Sequence, residues 1–207
     1  MDAITITWHG HSCFQLTFQE YSIVLDPYEN EYVPGLAPLH LQSHDVLCSH
    51  GHGDHSAATL VSRLPQTDSP FHITTIDSFH DPEVGRLRGN NIIHILECGG
   101  MRIAHFGDLG CMLTEEQIAA IGSLDVAMLP VGGFYTIGPQ EAKVLVDRLQ
   151  AKIILPMHYR SETFGFDVLA TVQDFLSLTG GGVFYNDNTR IITPNSPPEI
   201  SILAYLG

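Results

Sequence analysis

The stretch Ser49-His50-Gly51-His52-Gly53-Asp54-His55 decides how this chain is read. Its last six residues hold three imidazoles and a carboxylate, both ordinary ligands for zinc and related ions. In a chain with 12 His among 207 residues, His-x-His-x-Asp-His is expected by chance about 0.0025 times, so coincidence is a weak objection. The bland alternative is a polar, pH-sensitive surface loop. The run follows Asp45-Val46-Leu47-Cys48, an apolar, strand-like stretch, and a buried strand end holds ligands rigidly. In an extended segment His50, His52 and Asp54 would share one face and His55 the other. A bend at Gly51 and Gly53 would let the run offer two ligands to each of two ions.

The flanking rhythm is that of a sheet. Ile4 to Trp8 alternates with period two, and residues 13–18 and 21–25 read as a hairpin. Residues 26–44 carry Pro27, Pro34, Gly35 and Pro38 and predict a long loop, a length that tends to be functional. Ser56 predicts an N-cap for a short helix over 57–61. Residues 71–76 predict a strand, and 92–97 with 101–106 a hairpin turning at Gly99-Gly100. From Thr114 the rhythm changes. Helices are predicted from Thr114 through Ile121, over 139–149 and over 167–178, alternating with strands at 126–129 and 153–155. Short strands are expected at 183–185 and 190–192. This is a layered α/β domain, with no internal repeat and one domain over residues 1–207.

Composition narrows the function. An apolar fraction of 44% suits a globular core, while a net charge of −14 opposes nucleic acid, which requires a basic stripe. Two divalent ions would soften that balance, so a small anionic substrate remains compatible. The sequence holds no apolar run long enough to span a membrane. The start, Met1-Asp2-Ala3-Ile4-Thr5, lacks a signal peptide's basic and apolar regions. Cys13, Cys48, Cys98 and Cys111 have no CxxC spacing and read as reduced thiols, so a cytoplasmic location is expected.

Further metal ligands should stand at strand ends. Three places qualify: His80 after the 71–76 strand, Asp108 after 103–106, and His158 after 153–155. Together with these, several segments carry a family resemblance. They are Trp8-His9-Gly10-His11-Ser12, Leu25-Asp26-Pro27-Tyr28, Ser49 to His55, His80-Asp81 with Arg88-Gly89-Asn90, Phe106 to Gly110, Pro130 to Gly133, and Pro156 to Tyr159. The chain resembles the metallo-β-lactamase superfamily, in its small metal-dependent hydrolase branch, which includes ascorbate-6-phosphate lactonase.

The resemblance implies a four-layer αβ/βα sandwich with two divalent metals at one edge, zinc first, with manganese, nickel or iron also compatible. It implies that His50, His52 and His80 bind one metal, that Asp54, His55 and His158 bind the other, and that Asp108 bridges them. Such ions, about 3.5–4 Å apart, share a hydroxide and lower the pKa of water from 15.7 to about 7. The expected reaction is hydrolysis of a small ester, lactone or phosphodiester, with Asp54 orienting the nucleophile. The alternatives are iron-dependent redox or sulfur chemistry, or a metal-binding module without catalysis. His52 stands where diiron relatives carry Glu, which favours hydrolysis. Asp26 or Asp81 would steady a ligand imidazole from behind; equally, each precedes a proline and can form a turn. His11 is expected to line the site rather than ligate. His40, His44, His72, His94 and His105 read as structural. Tyr135 either closes over the site or packs a tight connection, and Arg86 and Arg88 either meet an anion or pair with surface acids. Substrate contacts are expected in loops 27–44, 81–90 and 132–138, and a homo-oligomer is compatible with all of this.

Overall fold

Period-two alternation builds the first sheet in the computed structural model, which describes residues 2–207. In β1 (Ile4–Trp8) and β2 (Phe14–Phe18) every second residue is buried, whereas β3 (Tyr21–Leu25) is buried throughout. These three form an antiparallel meander with Ile4 opposite Phe18 and Phe14 opposite Leu25. β4 (Gln42–Ser43) lies at the end of the 26–44 loop, and β5 (Asp45–Leu47) follows it, running parallel to β3. A short 3-10 turn (Ala58–Leu60) and β6 (Ser62–Arg63), which pairs with β4, complete this part.

The second sheet opens with a long antiparallel meander of β7 (His72–Phe79), β8 (Asn90–Cys98) and β9 (Met101–His105). It then turns parallel through α1 (Glu115–Ile121), β10 (Val126–Pro130), α2 (Pro139–Leu149) and β11 (Ile153–Met157). After α3 (Val172–Thr179) come β12 (Val183–Phe184), β13 (Thr189–Ile192) and β14 (Glu199–Ile202). The strand orders are β13-β1-β2-β3-β5 and β12-β14-β11-β10-β9-β8-β7.

Burial explains the layers. Ile4, Leu16 and Ile23 of the first sheet share one apolar cluster with Ile95, Ile103 and Met128 of the second. β10 and β11 are buried along their whole length, which requires cover on both faces. Ala142 and Leu145 of α2 and Phe175 of α3 belong to the same cluster. Val24 of β3 joins a separate cluster with Tyr28, Val33, Leu36 and Val61, with Val46 of β5 packed against it. The 26–44 loop thus covers the outer face of the first sheet. Tyr28 anchors it, with its hydroxyl donating to the carbonyls of His9 and Ala37.

Three local expectations are corrected. Ser56 caps no helix, because its hydroxyl donates to the His52 carbonyl and backs the histidine run instead. The helix expected from Asp167 begins at Val172, where Thr171 and Asp174 form a capping box. β14 is a strand that the sequence does not predict: four half-polar residues after a Pro-Pro pair carry little strand signal, yet they insert between β11 and β12.

Candidate metal centre

Strands of both sheets end along one edge. Asp26 directly follows β3, and the run at His50 lies just beyond β5. His80 directly follows β7, Asp108 lies just beyond β9, and His158 directly follows β11. Layered α/β folds gather their sites at such carboxyl ends.

The side chains converge on Asp108. Its Oδ2 lies 3.2 Å from Nε2 of His80, 3.3 Å from that of His158 and 3.8 Å from that of His50. Its Oδ1 lies 3.0 Å from Nε2 of His55. Nevertheless Nε2 of His50, His55 and His158, and Oδ1 of Asp108, are buried and complete no hydrogen bond. Each such orphan costs about 1–3 kcal/mol if left unsatisfied. Mutually facing imidazole nitrogens and carboxylate oxygens fit a cation in the space between them. Two groups of donor atoms also lie within 4.8 Å of one another: His50, His52 and His80, and His11, Asp54, His55 and His158.

The protonation states of His50, His80 and Asp108 suit the same use. Burial and then the neighbouring His55 push His50 down to about 3. Burial likewise lowers His80, so both rings are neutral at pH 7. For Asp108 burial acts upward, but the facing His158 and His55 rings outweigh it and hold the carboxyl well below its usual range. Burial opposes charge on His55 too, yet Asp108 and Asp26 flank its ring and raise it well above the ordinary value.

Behind the candidate ligand atoms lies a fixed support. Asp26 Oδ2 lies 2.7 Å from His55 Nδ1 and accepts from the Ser49 hydroxyl at 2.6 Å, while the Ser49 oxygen sits 2.9 Å from His50 Nδ1. One buried carboxylate therefore orients two imidazoles, one of them through Ser49. Burial would raise Asp26, but His105, His55 and the Ser49 hydrogen bond hold it at about 2. The Tyr135 carbonyl orients His80 through Nδ1 at 3.1 Å. Asn91, fully buried, accepts from the Asp108 N–H at 2.8 Å and donates to Phe106 O and Ser78 Oγ. Sequence reasoning misses Ser49 and Asn91 as supports; their one signal is that Ser49 lies within, and Asn91 beside, a quoted motif. His105 lies behind Asp26, donating from Nε2 to the Ser12 carbonyl and accepting the Gly107 N–H at Nδ1. At Gly107 (φ 54°) a Cβ would stand 2.4 Å from Asn91 Oδ1 and 2.4 Å from Ser49 Cβ, so the close approach requires glycine.

Several expectations change here. The run is a series of turns, not an extended segment, and neither Gly51 nor Gly53 has positive φ. Gly53 makes room for the Tyr32 ring, which a Cβ would meet at 2.6 Å. The left-handed residues are instead His11 (φ 50°), Asp26 (φ 45°) and His158 (φ 53°), conformations that non-glycine residues hold only where packing imposes them. Asp81 steadies no imidazole; it accepts backbone N–H groups from Glu83, Gly85, Leu87 and Arg88. His11 lies deeper than expected: Nε2 is 3.3 Å from Asp54 Oδ2, and its ring centroid is 4.0 Å from that of His158. Burial, with His158, lowers it to about 4. Arg86 pairs with Glu83. A cavity of about 410 Å³ opens over the cluster, lined by Tyr32, His52, Asp54, His80, Arg88, Asp108, Tyr135 and Phe166. Tyr135 lines this cavity, and its ring packs against Phe134 and Phe166.

A family profile described as a Beta-lactamase superfamily domain matches residues 5–158. The chain belongs to the metallo-β-lactamase superfamily. The UPF0173 metal-dependent hydrolase of Desulforamulus reducens is 31% identical over 194 residues, spanning 75% of this chain and 84% of the relative. Its Thermoplasma acidophilum counterpart is 28% identical, spanning 98% of this chain and all of the relative. Among solved structures, a candidate Zn-dependent hydrolase of the superfamily from Thermotoga maritima superposes with a TM-score of 0.75 at 34% identity, covering 97% of this chain and 98% of that one. The architecture is the metallo-β-lactamase fold, and the chain is a metal-dependent hydrolase of this superfamily.

Proposed function

We propose that one domain, residues 1–207, is a two-metal hydrolase that opens a small ester, lactone or phosphodiester. The observation that carries this reading is the Asp108 carboxylate, set within 3.0–3.8 Å of Nε2 of four imidazoles that come from three separate segments. His50, His52 and His80 would hold one divalent ion, Asp54, His55 and His158 the second, and Asp108 both. Zinc suits this donor set best, with manganese, nickel or iron also compatible. A metal pair supplies Lewis acidity toward a carbonyl or phosphoryl oxygen and makes water acidic enough to attack near pH 7.

The chain's own groups do the rest. Asp54 lies beside the cavity with its carboxyl held well below the usual range: burial opposes this, and the His11 hydrogen bond and His55 outweigh it. An ionised Asp54 accepts a hydrogen bond from a water and so orients it for attack. His11, 3.3 Å away, keeps Asp54 turned toward that water. A cavity of about 410 Å³ is the size of a small-molecule site, and the net charge of −14 opposes a polyanion. Four free cysteines suit a reducing, cytoplasmic setting. Among the described residues, no helix is long and apolar enough to cross a membrane.

Asp108→Ala tests the reading. We expect metal content, by elemental analysis, and hydrolysis of an ester, lactone and phosphodiester panel to fall together, the latter about 10³-fold or more, as when a residue acting as part of a unit is removed. Two metals retained per chain in the variant would overturn the bridging role. Metal-replete wild-type protein with a stoichiometry near zero would overturn the site.

A further inference from the structure

The chain carries nine Lys and Arg against 23 Asp and Glu. Seven of the nine cations lie within 4.0 Å of a carboxylate. Arg160 makes no such pair, but its Nε donates to the Leu169 carbonyl. Among the described residues, Arg88 is left with neither an ion pair nor a side-chain hydrogen bond. Its guanidinium rests 5.6 Å from the centroid of the Tyr135 ring, and it is the one cationic side chain lining the cavity above Asp54 and Asp108.

That freedom is built in. Glu83, the nearest carboxylate in sequence, is taken by Arg86, and both oxygens of Asp81, the next nearest, are already engaged. Oδ1 takes the N–H groups of Glu83 and Gly85, and Oδ2 those of Leu87 and Arg88 itself, at 2.8–3.2 Å. The loop closes on the metal centre where the His80 N–H donates to Gly89 O at 3.1 Å. Arg86, two residues away, is paired with Glu83 and points its charge elsewhere. The Arg88 guanidinium is thus held over the site on an aromatic face, with its donor edge unspent. Phe166 continues that face, 5.9 Å from Tyr135 and 6.5 Å from Tyr32 between ring centroids.

A guanidinium with a free edge binds a carboxylate or phosphate by two parallel hydrogen bonds. Resting on the proposed hydrolase reading, we propose that Arg88 recognises an anionic group that the substrate carries apart from the bond being cleaved. The substrate class is then a small ester or lactone with a separate carboxylate or phosphate and an apolar or planar body against Tyr135 and Phe166. Tyr135 is a positioning residue for Arg88 and, through its carbonyl, for His80.

The test uses metal-replete full-length protein and three acetate esters: phenyl acetate, 4-carboxyphenyl acetate and 4-acetoxyphenyl phosphate. In Arg88→Gln the anionic-to-neutral ratio of kcat/KM should fall at least tenfold, through KM rather than kcat. Arg88→Lys should recover part of it, and Arg86→Gln should leave it unchanged. The larger loss, on the carboxylate or the phosphate ester, names the group. Calorimetry of 4-hydroxybenzoate binding should show at least tenfold weakening in Arg88→Gln, with metal content at the wild-type level. A ratio within twofold of wild type together with unchanged 4-hydroxybenzoate binding would overturn the proposal. Metal-replete protein that hydrolyses none of the esters overturns the ester part of the proposed function instead. The binding measurement then decides on Arg88 alone: Arg88-dependent binding supports the subsite, and no binding overturns it.

Discussion

Asp26-Pro27 and Asp81-Pro82 are the same dipeptide at the ends of β3 and β7, and they do different work. Asp26 reaches side chains: the imidazole of His55 and the hydroxyl of Ser49. Asp81 reaches backbone: four N–H groups of its own loop. Both carboxylates are buried and both are held below their usual range, against the upward effect of burial. The difference comes from what lies across each. β3 ends beside parallel β5, so Asp26 meets the histidine run, which lies some 24 residues on. β7 is an edge strand whose continuation curls back on itself, so Asp81 meets only its own loop. One carboxylate thereby orients the proposed metal ligands, and the other shapes the loop that presents Arg88.

The widest gap should appear in metal affinity. Asp26→Asn is expected to weaken binding about 10–100-fold, the usual effect of losing a partner behind a ligand imidazole, as read by competition with a chelator. Asp81→Asn should leave metal affinity near wild type while lowering the preference for anionic esters. Equal metal loss in the two variants would erase the distinction.

Gly107→Ala probes the packing that joins Asp108 to the Asp26–Ser49 support, since its methyl would press on both Asn91 and Ser49. We expect a stability loss of about 1–3 kcal/mol, seen in urea unfolding, with reduced metal content. Gly85 also has positive φ (79°), but a Cβ there meets only Gly89 and the Phe79 ring, at 3.0 Å. Gly85→Ala should cost about 1 kcal/mol and spare the metal.

The smallest effect separates the two regions by pH. Imidazoles crowd the Asp26 side, and buried His94 is lowered to about 4: burial drives it down, Asp26 opposes and His105 adds to it. A histidine depressed on folding contributes its stability above 6.5, its unfolded value, and loses it as pH falls toward 4, because the unfolded chain takes up a proton the folded one refuses. The metal-free protein should therefore lose about 1 kcal/mol from this residue alone by pH 5.5. His94→Gln should flatten the slope of stability between pH 6.5 and 5.5. Asp81→Asn should not, because no imidazole touches that carboxylate. A slope unchanged in His94→Gln would assign the acid sensitivity elsewhere.

Most residues of the candidate site are legible in the amino-acid sequence. The His50–His55 run, with His80, Asp108 and His158 at strand ends, can be read because ligand type and strand rhythm are local properties. Asp26 and Asp81 cannot be told apart in this way, because their neighbours in sequence are alike. The role of Ser49 is hidden for the same reason: a serine before a histidine says nothing until Asp26 lies behind both. The start of α3 falls five residues later than its apolar positions suggest, since the capping box at Thr171 outweighs them.

By itself the sequence determined the donor chemistry, the superfamily and the order of most strands, through patterns that act within a few residues. Tertiary structure decided which carboxylate supports which ligand, that His11 sits against Asp54, and that Arg88 alone is left without a partner among the described residues. Those outcomes depend on which strand ends meet across two sheets. Pairing at that range is set by packing of the whole core, with Asp108 and His55 brought to 3.0 Å across 53 positions of chain.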